Sequence, residues 1–141
     1  MVGCYADANF SRLWIHEDPQ DPICDRTRTG FVVTFPSCTL LCMSNLHTEI
    51  ALSKLNSEYV ELSHSVRSLL PLEILIKEVI DNLGVDSEKL KFFSSSTVYE
   101  DNNLSIFVAT SPRMTPISKH IAIKYHWLRQ HVGKEFVIRK I

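Results

Sequence analysis

The chain lacks any large net charge. Its 15 Lys and Arg stand against 16 Asp and Glu, for a formal charge of -1 and a pI of about 6.6. That balance excludes a wholesale polyanion binder, so any nucleic-acid contact must be local. No CxxC pair occurs either. The 4 cysteines fall at positions 4, 24, 38 and 42, and Cys4, Cys38 and Cys42 lie in apolar runs. They are expected to be buried free thiols of a reducing compartment. A zinc site on Cys38, Cys42 and His47 is the alternative, with looser pairing than tetrahedral zinc sites usually show. No long apolar run is present. "SLLPLEILI" is too short to span a bilayer and is interrupted by Pro71 and Glu73. Met1-Val2-Gly3 leads straight into a strand pattern with no charged leader, so no secretory signal and no membrane association are expected, and an intracellular location is. Repeats and linkers are absent too. With 141 residues, 45% of them hydrophobic, one ordinary globular domain with a normal core is expected.

The pattern along the chain predicts α/β architecture. Residues 2–6 read as a short strand and residues 16–29, rich in Asp, Pro and Arg, as a loop. "GFVVTF" at 30–35 and "LLCMSNL" at 40–46 read as strands with "PSCT" as their turn. These three would form an antiparallel meander. From Leu55 the period becomes helical, with Leu55, Tyr59, Leu62, Val66, Leu69 and Leu70 on one stripe. Pro71 is expected to end that helix and open a second, which stops at Gly84. "FFSSSTVYE" at 92–100 reads as a strand, "DNNLSIFVAT" as a short helix capped at Asp101 or Asn102, and 118–132 as a helix ended by Gly133. "EFVIRKI" begins a last strand. The result is a mixed sheet flanked by helices.

Three acids stand where burial is normally avoided. Asp7 ends the first strand. Asp101 follows the strand "STVYE" and begins a helix. Glu58 lies one helical turn from both Leu55 and Leu62 and flanks the apolar stripe, whereas Glu61 is expected to point well away from it. If the first and fourth strands are neighbours, Asp7 and Asp101 end side by side, and a helix on that sheet places Glu58 over them. Such clustering is costly unless a cation neutralises it, and a hard divalent ion with oxygen ligands is the natural solution. Two such ions about 4 Å apart can activate a water and stabilise a leaving oxygen. Taken singly, each acid is as well explained as a turn cap, a helix cap or a helix-edge charge.

Five segments occur in order: "YADANF", "RTRTGFVV", "TEIALSKLNSEYVELS", "VYEDN" and "SKHIAIKYHWLR". The series closely resembles the ribonuclease H domain of copia-type retrotransposon polyproteins, over essentially the whole chain. The family shows YxDADxA, SRTGY, an SxxEAEYxAL helix, a strand ending in DN, and a TKHIxxxYHxxR helix. The resemblance implies a ribonuclease H-like fold, and hydrolysis of the RNA strand of an RNA–DNA hybrid with two magnesium ions, manganese being an alternative. It implies a covalently linked reverse transcriptase domain, and a location in the cytoplasm, within a particle of the element, or in the nucleus. It assigns Asp7, Glu58 and Asp101 as catalytic and metal-binding acids.

This chain departs from the pattern in several places. Asn9 stands where the family has the second Asp of its DAD. "SKLNSEY" replaces the usual "SSxEAEY", which puts Lys54 and Leu55 near the start of the catalytic helix. Cys42 stands near the place of a common Trp. The family continues past its last strand into a helix with "ADxxTK", whose Asp resembles a fourth metal-binding acid, while this chain stops at Ile141. A fragment with weak or absent activity is therefore expected.

Between Lys119 and Lys140 stand Lys119, Lys124, Arg129, Lys134, Arg139 and Lys140 against Glu135 alone, a local basic edge suited to one strand of a hybrid. His120 and His126 match the two family histidines; a structural hydrogen bond, a phosphate contact or a proton shuttle are their candidate roles. Trp127 is a stacking platform or core. Arg28 and Thr29 are placed to touch phosphate, and Asn102 to read a ribose 2′-hydroxyl. The competing reading is a non-catalytic nucleic-acid-binding remnant of a retroelement polyprotein. A transposase or resolvase-type nuclease of the same fold is the third.

Overall fold

The computed structural model describes residues 2–10, 26–36, 38–85, 96–113, 116, 121 and 123–141. Alternating small or apolar residues make the first strand, β1 (Gly3–Asn9): Cys4, Ala6 and Ala8 turn into the core, and Tyr5 and Asp7 turn out. The strand therefore runs past the expected end at residue 6, and Asp7 lies within it, paired opposite Gly30. Antiparallel to it runs β2 (Arg28–Phe35), which begins two residues before the apolar run suggested, and then β3 (Cys38–Leu46). The β2–β3 pairing shifts between Val33 and Thr34. The predicted meander is thus present, with Cys38 and Thr39 in the strand rather than the turn. Across the other edge of β1 lie β4 (Ser96–Glu100) and β5 (Phe136–Lys140), both parallel to their neighbours. The sheet order is β3-β2-β1-β4-β5. Residues 92–95 of the expected fourth strand lie outside the described residues.

Helix α1 (Lys54–Asn82) runs 29 residues without a break. Ser53 caps it, its hydroxyl accepting from the Asn56 amide at 3.1 Å. Pro71 sits inside the helix instead of dividing it. The ring removes one N–H and crowds the carbonyl four residues earlier, but Pro71 and Arg67 are both exposed, so water can solvate the carbonyl that loses its partner. The helix stops near Gly84, which takes φ 70°, a conformation that only glycine adopts cheaply. Tyr59, Leu62, Val66 and Leu69 are fully buried, each side chain contributing about 1.5–3 kcal/mol of apolar transfer free energy. Together with Cys4, Val33, Val98 and Phe136 they form the core between α1 and the sheet.

The short helix α2 (Asn103–Thr110) is capped by Asn102, whose Oδ1 accepts from the Leu104 and Ser105 amides at 3.0 and 3.2 Å. The helix expected over 118–132 appears as a 3₁₀ helix, Ile123–Gln130. Residues 117–120 and 122 lie outside the described residues. Tyr125 and Leu128 turn into the core from this segment. Gly133, at φ 76°, turns the chain toward β5.

Two expectations about burial fail. Cys38 and Cys42 are exposed, because β3 is the outer strand of the sheet and is exposed or half-buried along its length. Only Cys4 of the described thiols is buried, and burial pushes it up to about 12. Glu61 does not face water but is fully buried. Three residues along an α-helix turn only about 60° short of a full circle, so Glu58 and Glu61 share a side. On the sheet face opposite α1, Tyr5 and Tyr99 stack with ring centroids 4.6 Å apart.

Candidate metal centre

Strand register brings the acids together. β1 and β4 pair in parallel only from Gly3 to Tyr5. Beyond Tyr5 the β1 edge is open, and Glu58 reaches it from α1: its Oε2 accepts from the Ala8 amide at 3.1 Å. That bond fixes the carboxylate beside Asp7. Asp101 follows directly on the end of β4, next to the same opening. One carboxylate oxygen from each of Asp7, Glu58 and Asp101 lies within 4.8 Å of the others. Among the described residues no other group of three His, Cys, Asp or Glu side chains converges in this way. Cys38, Cys42 and His47 do not come together as a zinc site.

Asp7 and Asp101 are exposed, whereas Glu58 is 1% exposed. Burial raises Glu58 to about 7. The Ala8 amide opposes that rise, the Asp101 and Asp7 carboxylates add to it, and Lys54 opposes it. Glu58 Oε1 is buried without a hydrogen-bond partner among the described residues. A buried carboxylate oxygen that accepts no hydrogen bond and faces two exposed carboxylates suits a hard divalent cation with oxygen ligands, which would supply both charge and coordination.

Two further acids surround the trio: Glu100, not singled out in the sequence, and Glu61, expected there to point away from the apolar stripe. Glu100 is fully buried at the end of β4. Its Oε1 accepts from the Asn102 amide at 3.0 Å. Burial raises it to about 8, against the Asn102 bond, with Glu58, Asp101 and Asp7 adding to the rise. Glu61 is raised to about 7, first by burial; the Thr29 side chain favours its charged form, and Glu58 and Asp7 disfavour it. Neither Glu61 oxygen has a hydrogen bond of normal geometry among the described residues. The period-two alternation of β4, with Val98 inward, would have placed Glu100 inward as well.

The other candidate residues are more scattered. Thr29 is buried beside Glu61, while Arg28 is exposed and its guanidinium donates to the Ser44 hydroxyl at 3.4 Å. Asn102 spends its side-chain oxygen capping α2. Lys124 pairs with Glu49 at 2.6 Å and lies over the Tyr125 ring. His126 Nδ1 and the Tyr59 hydroxyl are 3.0 Å apart, tying the 3₁₀ helix to the residue next to Glu58. Trp127 is partly buried; its indole N–H donates to the Ser63 hydroxyl at 3.2 Å, and Arg67 lies over its ring. Lys119 and His120 lie outside the described residues. Among the described residues no helix is long and apolar enough to cross a membrane.

The fold is that of a ribonuclease H domain. A ribonuclease H1 from Halobacterium salinarum matches it with a TM-score of 0.55 at 12% identity, over 99% of this chain and 84% of that one. LC11-RNase H1, isolated from compost and solved in complex with an RNA/DNA hybrid, matches with a TM-score of 0.57 at 17% identity, over 100% and 85%. In sequence, the chain is 26% identical over 110 residues to a retrovirus-related Pol polyprotein from transposon TNT 1-94 of Nicotiana tabacum, a match covering 78% of this chain. The matched stretch is 8% of that polyprotein's length. No protein-family model matches. The fold and the relative agree with a ribonuclease H domain of a Pol polyprotein.

Proposed function

We propose that the chain is a divalent-cation-dependent endoribonuclease of a copia-like retrotransposon, cleaving the RNA strand of an RNA–DNA hybrid. The observation that carries this reading is the convergence of Asp7, Glu58 and Asp101 within 4.8 Å on a ribonuclease H fold. Magnesium or manganese held there supplies the charge that activates a water and offsets the phosphodiester's developing negative charge. The chain's own part is positioning. Ala8 fixes Glu58 through its amide, and the ends of β1 and β4 present Asp7 and Asp101 toward the opening. The substrate is an RNA–DNA hybrid, with Arg28, Thr29, Asn102, Lys119, His120, Lys124 and His126 as its contact residues. The parent polyprotein supplies a reverse transcriptase domain on the same chain and confines the reaction to the cell interior.

The test pairs binding with cleavage. Manganese should raise the melting temperature of the wild-type protein and leave Asp7→Asn and Asp101→Asn unmoved, by ligand linkage. Any cleavage of the RNA strand of a labelled hybrid in manganese, however slow, should stop in Asp101→Asn. A wild-type protein with neither response rules this function out. Manganese binding without cleavage favours the non-catalytic remnant.

A further inference from the structure

Resting on that reading of the acid trio, one feature concerns how the site takes up its ion. Lys54 occupies the first position of α1, directly after the Ser53 cap. Two local rules oppose a lysine there. A cation at a helix N-terminus meets the positive end of the helix dipole. A Lys four residues before a Glu is also the weaker order of an ion pair along a helix. No acidic residue occupies the first turn to compensate. Yet the Lys54 ammonium lies 3.9 Å from Glu58 Oε1. That is the oxygen of Glu58 left without a hydrogen-bond partner, the other being held by the Ala8 amide. The Lys54 side chain is 66% exposed and that of Glu58 1%. So the base of the pair is fixed and the cation is free to leave.

We infer that Lys54 is a displaceable counter-cation of the acid centre, competing with the divalent ion for Glu58 Oε1 and so setting the site's affinity for metal. With no ion bound, the ammonium offsets part of the charge of Glu58. When an ion binds, the ammonium must move away from Glu58, because two cations on one carboxylate oxygen repel each other. The exposed side chain has the freedom to do so. Lys54 is thus a positioning residue that acts on metal affinity rather than on the reacting atoms.

The experiment follows manganese-dependent thermal stabilisation of the whole chain as a function of manganese concentration. Lys54→Gln should lower the midpoint by roughly threefold to tenfold, the size expected for removing one exposed charge from a partly screened site. Lys54→Arg keeps the charge and should keep the wild-type midpoint. Lys77→Gln, the same change farther along α1, should leave it within about twofold by the same screening. The difference between wild type and Lys54→Gln should shrink at high salt, because the competing ammonium is exposed. A normal wild-type stabilisation with an unchanged or weakened midpoint in Lys54→Gln overturns this inference alone. A wild-type protein that gains no stability from manganese overturns the metal reading and this inference with it.

Discussion

Replacing Glu61 with Gln should change the pH dependence of stability more than stability itself. The carboxyl is fully buried, and its surroundings move it from the ordinary 4.5 to about 7. An acid raised in the fold is stabilising while protonated. That contribution is complete below about 4.5, falls as pH rises through about 7, and is gone above it. By linkage, carrying the charge at high pH costs at most about 3 kcal/mol. Gln keeps the volume and cannot ionise. The stability of Glu61→Gln relative to wild type should therefore be more favourable near pH 9 than near pH 5 by about 2.5 kcal/mol, or roughly 5–10 °C in melting temperature for a domain of this size. Taking the difference between the two pH values cancels any cost of burying the new amide. The assay is thermal or urea unfolding of both proteins at both pH values with a chelator present, so that no ion offsets the charges of Glu58, Asp7 and Asp101. A Glu61→Gln effect of the same size at both pH values would refute the argument, because it would mean the carboxyl is not held protonated by burial.

Two further outcomes follow from the packing. Tyr59→Phe removes the hydroxyl that meets His126, and denaturant unfolding should show a loss of about 1 kcal/mol. Pro71→Ala restores a backbone donor in the middle of α1 and should stabilise the chain by about 1–3 kcal/mol, read as a shift of the urea midpoint at constant slope.

Much of this architecture could be read in the sequence because the relevant signals are local. The β-branched run at 30–35, the helical period from Leu55 and the glycines at 84 and 133 each mark an element whose geometry depends on near neighbours. Asp7 and Asp101 are legible from their places at the ends of strand patterns, Glu58 from its place at the flank of the apolar stripe, and all three from the motifs of the family that the chain resembles. The parts that were not legible depend on neighbours distant in sequence. Pro71 reads as a helix break by propensity, but Leu69 before it is buried in the core and Glu73 after it accepts a hydrogen bond from the Ser96 hydroxyl of β4, which ties both sides of the proline to the fold. Glu61 reads as solvated because the apolar residues mark only part of the face that α1 buries. In the fold α1 also packs against α2 and the 3₁₀ helix, as well as β1 and β2, so its buried face includes Ser57, Ser63 and Ser65. Cys38 and Cys42 looked buried because an apolar run does not say whether its strand lies at the rim of the sheet. A structural hydrogen bond is among the roles the motif offers His126, but nothing in its spacing identifies Tyr59 as the partner.

The early end of the β1–β4 ladder at Tyr5 and Tyr99 has a consequence for the order of folding. The acids come from positions 7, 58 and 101, and the opening that Glu58 enters exists only once a parallel pair has closed across most of the chain. Contacts of such long sequence separation form late. A divalent ion that needs all three acids therefore has little to hold in the folding transition state. Its stabilisation should appear mainly as slower unfolding, with the folding rate nearly unchanged. On that account an ion bound there would act as a latch on the completed fold and not as a seed for it.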